Sequence, residues 1–143
     1  MLQFPDESSE DGSFDRQEDA FRDWIEIPES GRYHLYICKA CPWAHRAWIV
    51  LRSMGLEDVV SVSCVDPIRD AKGWAFRPGR GHGTDTTEGF KYLSEAYTKS
   101  QSNFNGRVTV PVLWDKQSKR IINNSEDDIC HMWATTFRPL AKH

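Results

Sequence analysis

Tyr33, Leu35 and Ile37 alternate with His34 and Tyr36, the period-two spacing of a strand. Helix-compatible residues then run from Pro42 to Met54. Gly55 is placed to end that helix, because glycine readily takes the left-handed conformation found just past a helix C-terminus. Val59 to Val65 is rich in β-branched residues, with Val60, Val62 and Cys64 on one face, and predicts a second strand. The chain therefore opens as β-α-β.

Between Asp66 and Gly89 fall two Pro and five Gly, a composition that predicts a long surface loop rather than a packed element. Phe90 to Thr98 supports a short helix, and Asn103 to Gly106 turns the chain into Val108–Trp114, which leads into a third strand. Asp115 to Lys119 is a polar hairpin turn into Arg120–Ile122. Asn123, Asn124 and Ser125 then supply N-cap chemistry for a last helix through about Trp133. The order β-α-β, long excursion, β-β-α is an α/β, thioredoxin-like order with a right-handed crossover. Residues 1–30 read as an acidic tail and lead-in in which only Phe21, Trp24, Ile25 and Ile27 can dock. Residues 31–134 form the folded domain, and 135–143 a short divergent end.

Length and composition sharpen this picture. A chain of 143 residues, 39% hydrophobic and 12% aromatic, holds one ordinary domain with enough apolar material for a core. It has no apolar run of the roughly 20 residues a membrane span needs, and no basic-then-apolar start, so a cytoplasmic, membrane-free protein is expected. Residues 1–30 hold ten Asp or Glu against two Arg, a net of -8; with -3 for the whole chain, the remainder carries +5. A mildly basic body weakly favours an anionic small molecule, while the dispersed Lys and Arg lack the stripe of a nucleic-acid footprint. Four Cys in such a chain are expected to be reduced thiols.

Cys41 is the candidate nucleophile. Pro42 follows it, and proline favours the first helical position, where its missing N–H costs nothing; Cys41 is then the N-cap. A thiol there faces free backbone N–H groups and the positive end of the helix dipole, which favour the reactive thiolate. The opposing reading is a merely buried Cys, a common fate for free thiols. In the usual Cys-x-x-Cys register the first thiol starts the helix, which sets Pro42 too deep. Cys38 therefore belongs at the end of the first strand, Ala44 stands where a resolving Cys would, and monothiol chemistry is expected. A zinc site from Cys38, Cys41, His45 and Cys64 lacks the second ligand pair of common structural sites, so no metal is expected.

At Cys41-Pro42-Trp43-Ala44, followed by His45 and Arg46, the sequence resembles the glutathionyl-hydroquinone reductases, the Xi class of glutathione transferases. The resemblance continues through Gly73-Trp74, Gly89 to Leu93, Gly106 to Asp115 and Asn123-Asn124, covering about residues 30–132. It implies an enzyme with glutathione as cosubstrate. Cys41 would attack the sulfur of a glutathionylated hydroquinone, leaving a Cys41–glutathione disulfide that a second glutathione resolves. It further implies that Trp74 and Arg107 hold glutathione, that Val110 offers its backbone to the cysteinyl part, that Pro111 is cis, and that a homodimer is possible.

This chain departs from the family in two places. Where the family shows Glu then Ser after the paired Asn, this chain has Ser125 then Glu126; these two would still receive the γ-glutamyl end, or Ser125 and Asp128 would simply form a capping box. Family members also continue into an all-helical C-terminal domain, which this chain is expected to lack. Its loss is expected to expose Ile129, Met132 and Trp133 on the last helix. Two other readings stay open: a non-catalytic glutathione- or partner-binding module, and a glutaredoxin-like deglutathionylase.

Overall fold

The computed structural model describes residues 20–143, so most of the expected acidic tail lies outside the described residues. A four-stranded sheet carries the fold: β1 (Tyr33–Ile37), β2 (Ser61–Cys64), β3 (Val112–Asp115) and β4 (Arg120–Asn123), in spatial order β2-β1-β3-β4. β1 runs parallel to β2 and antiparallel to β3, and β3 is antiparallel to β4. The helices are α1 (Pro42–Ser53), α2 (Ser94–Ser100) and α3 (Glu126–Ala134). This is the thioredoxin-like order expected from the sequence.

Element bounds moved for identifiable reasons. Pro111 has no N–H to donate, and β3 begins only after it. α2 starts at Ser94 rather than Phe90 because the Glu95 carboxylate accepts the N–H groups of Lys91 (2.6 Å) and Tyr92 (2.8 Å), holding the preceding turn open. Gly55 sits at φ 69°, the left-handed conformation that stops α1 just beyond Met54.

The packing refines or corrects several expectations. The 66–89 excursion is a loop without helix or strand and largely exposed, as expected, but it is anchored: Ala75, Phe76 and Asp85 are buried, and the segment covers the His34/Tyr36 face of β1. Asp85 organises it, accepting from the Tyr36 hydroxyl (3.0 Å) and from the backbone of Thr87, Glu88 and Phe90. β1, expected to alternate, is consequently buried at all five positions.

The lead-in docks through part of the patch expected to do so. Asp23 N–H donates to the Ile122 carbonyl (3.0 Å), Ile25 is buried, and Phe21 lies edge-on to Tyr97; Trp24 and Ile27 stay exposed. The apolar face of α3 is not exposed either. Ile129, Met132 and Trp133 are fully buried, because α3 packs on α1, with Trp133 Nε1–H bonded to the Ala47 carbonyl (2.9 Å). Phe137, from the segment expected to be a divergent end, closes over Trp133 and Tyr33.

His34 makes the sheet pH-sensitive. Its ring is buried between Ser61, Ser63 and Thr87, with Asp85, Glu88 and Lys116 the charged groups nearby, and burial lowers it from an ordinary 6.5 to about 4. Between those values the unfolded chain binds the extra proton, so this contribution is complete above pH 6.5 and is lost as pH falls. Urea unfolding is expected to show a loss of about 2 kcal/mol from this group between pH 7 and pH 5. A His34→Asn chain should lack that part of the slope.

Candidate active site

β1 ends at Ile37, and the chain turns through residues 38–41, the Cys41 N–H donating to the Cys38 carbonyl at 3.1 Å. Cys41 then takes extended dihedrals (φ -90°, ψ 116°) as the N-cap of α1, with Pro42 at the first helical position and no acidic residue in the first turn. The positive end of the helix is thus left unopposed by its own side chains, and the half-buried Cys41 thiol stands before it. Cys38 is buried at the strand end and Ala44 is buried one turn in, as the register argument required.

Cys41 opens on a cavity of about 610 Å³, within the usual size range of small-molecule sites. Every residue singled out for the site lines it: Cys41, Trp74, Arg107, Val110, Pro111, Ser125 and Glu126. These come from the start of α1, the packed excursion, the segment before β3 and the start of α3. The Val110–Pro111 peptide bond is cis. Arg69, which carries no motif in the sequence, also lines the cavity and lies over the Trp74 ring at 4.9 Å from its centroid. Thr109, Asn124 and Asp127 complete the far wall.

At the start of α3 the expected capping box is only half formed. Ser125 Oγ accepts the Asp128 N–H at 3.4 Å, but the Asp128 carboxylate does not return to Ser125. It accepts from Arg22 Nε and Nη2 (2.9 and 2.8 Å) and from the Asn123 amide (3.1 Å), while the Ser125 N–H donates to Asn123 Oδ1 (2.7 Å). Glu126 pairs with Arg46 of α1 at 3.1 Å, yet burial outweighs that partner and raises its carboxyl. Among the described residues, no group of three or more His, Cys, Asp or Glu side chains is arranged to hold a metal ion. No described helix is long and apolar enough to cross a membrane.

The family model for the glutathione S-transferase N-terminal domain matches residues 40–136, from the Cys41 turn to just past the end of α3. The chain belongs to the glutathione S-transferase family. It is 42% identical to the glutathionyl-hydroquinone reductase PcpF of Sphingobium chlorophenolicum, over 92% of this chain and 43% of that protein. In structure it resembles the Xi glutathione transferase of Phanerochaete chrysosporium (TM-score 0.88, 40% identity, 93% of this chain and 45% of that one). It also resembles the glutathione-bound YqjG of Escherichia coli (TM-score 0.84, 40% identity, 87% and 45%). The Xi-class resemblance read from Cys41 to Ala44 thus holds in both sequence and fold. The chain spans less than half the length of these relatives.

In this transferase domain one buried hydroxyl joins two walls of the cavity. Tyr97 OH donates to the Thr109 carbonyl (2.7 Å) and accepts from the Thr109 N–H and the Asn124 amide (both 3.1 Å). Tyr97→Phe leaves all three partners without that oxygen, at a cost of about 1–3 kcal/mol in urea unfolding.

Proposed function

We propose that the protein removes glutathione from glutathionyl-hydroquinones through a Cys41–glutathione mixed disulfide. The observation that carries this reading is the convergence on one cavity of a helix-start thiol with Trp74, Arg107, Val110, Pro111, Ser125 and Glu126. The charges suit glutathione, which brings two carboxylates and one ammonium group. Arg69 and Arg107 offer positive charge to carboxylates, and Glu126 and Asp127 offer negative charge to the ammonium. The free N–H groups of a helix start add a seat for a carboxylate beside Ser125. Trp74 and Arg107 hold the bound glutathione, and Val110 meets its cysteinyl part through its backbone.

In the first step the Cys41 thiolate attacks the glutathione sulfur. A sulfur–sulfur bond forms, the carbon–sulfur bond breaks, and its electron pair stays on the ring carbon, which takes a proton to give the free hydroquinone. In the second step the thiolate of another glutathione attacks the mixed disulfide, releasing glutathione disulfide and returning Cys41.

The test is to mix the purified chain with glutathionyl-menadiol and excess glutathione and to follow menadiol release. Release in proportion to protein supports the reading. A folded chain that binds glutathione but releases none contradicts it and leaves a binding module.

A further inference from the structure

The reaction above leaves Cys38 unused, although it is fully buried beside the reactive thiol. Residues 38–41 close a turn through the 3.1 Å bond from Cys41 N–H to the Cys38 carbonyl. Such a turn holds its first and last Cα atoms within about 7 Å. Disulfides span Cα separations of roughly 4.4–6.8 Å, so the two cysteines are within bonding range with little backbone movement. Cys38 is fully buried, and the Cys41 thiol is among the groups whose charge acts on the Cys38 thiol. It occupies the buried side of the same helix start whose open side carries Cys41.

We propose that Cys38 is an internal resolving thiol, which attacks Cys41 Sγ of the glutathione adduct and forms a Cys38–Cys41 disulfide. The inference rests on the Cys41 mixed disulfide proposed above. One sulfur–sulfur bond replaces another, glutathione departs with the proton given up by Cys38, and no outside oxidant is required. Two thiols, from two glutathione molecules or one dithiol, return the pair to its reduced state.

This arrangement reverses the familiar order of a Cys-x-x-Cys pair, because the helix-start nucleophile comes second and the inner position is filled by Ala44. Burial supplies the order of events. It raises the Cys38 thiol and shields it from external disulfides, so that Cys41 reacts first. Once Cys41 carries glutathione, the electrophilic sulfur is held next to Cys38, and the exchange is intramolecular. The chain then has a resting form in which the nucleophile is protected when free glutathione is scarce.

The experiment uses the full reduced chain, one equivalent of oxidised glutathione as probe, and no added reduced glutathione. Samples are acid-quenched over time for intact mass and peptide mapping. The expected course is a glutathione adduct on Cys41 that decays to a chain lacking two hydrogens, with Cys38 and Cys41 in one linked peptide. In Cys38→Ser and Cys38→Ala chains, each checked for a cooperative unfolding transition, the adduct should outlast that of the parent by at least about tenfold. An adduct equally long-lived in parent and variants overturns the inference alone, and so does a disulfide that maps to Cys64. No adduct on Cys41 in a folded parent overturns this inference together with the mechanism on which it rests.

Discussion

Replacing Cys41 by Ser is expected to reduce menadiol release at least about 1000-fold, because a hydroxyl at this position offers no thiolate to attack sulfur. The loss cannot be traced to unfolding. Cys41 is the N-cap of α1 and makes no side-chain cap bond, whereas Ser is among the favoured N-cap residues. Urea unfolding of Cys41→Ser should therefore match the parent or exceed it slightly. Glutathione should still bind, since the groups proposed to hold it stand on other elements. A variant that keeps more than about a tenth of the parent rate would move the chemistry away from this thiol.

The second large effect concerns stability. Phe137 is fully buried, with its ring edge-on to Tyr33 (5.9 Å between centroids) and Trp133 (5.1 Å), and its N–H donates to the Met132 carbonyl at 2.9 Å. Phe137→Ala is expected to cost about 3–5 kcal/mol, the usual range for emptying a buried aromatic site. That is a large part of the roughly 5–15 kcal/mol that holds an ordinary domain together. Arg138→Ala, one residue on and exposed, should change stability by no more than about 0.5 kcal/mol. Urea midpoints of the two variants give the comparison. Near-equal midpoints would mean that the segment after α3 does not close over Trp133 in solution.

The strands and α1 were legible because their signals are local: alternation in Tyr33–Ile37, Pro42 after Cys41, and Gly55 past the helix end. The cavity was legible through a different kind of signal. Trp74, Arg107, Val110 and Pro111 came from blocks that resemble a family, and the fold then brought all of them to the cavity that Cys41 lines. Arg69 and the Tyr97 hydroxyl were missed. One stands in a Pro/Gly-rich stretch with no periodicity, and the other looks like an ordinary core aromatic until its three partners are known.

The anchoring of the excursion and of the C-terminal segment was not legible, for a shared reason. Their packing depends on partners far away in the chain: Asp85 needs Tyr36, and Phe137 needs Tyr33. Composition counts Gly, Pro and charge within a window and does not register a carboxylate that gathers four donors. The same limit applied to α3, whose apolar residues were expected to await a further domain. They are covered instead by α1 and by the few residues that follow.

The most direct test of the account is to identify the sulfur that takes up glutathione. The reduced chain is mixed with glutathionyl-menadiol without added glutathione, quenched in acid within the first turnover, digested and mapped by mass. The account predicts glutathione on the peptide that contains Cys41, formed in step with menadiol release. Glutathione on Cys64 or Cys130 with Cys41 unmodified, or menadiol release with no protein adduct at the earliest quench, would contradict it.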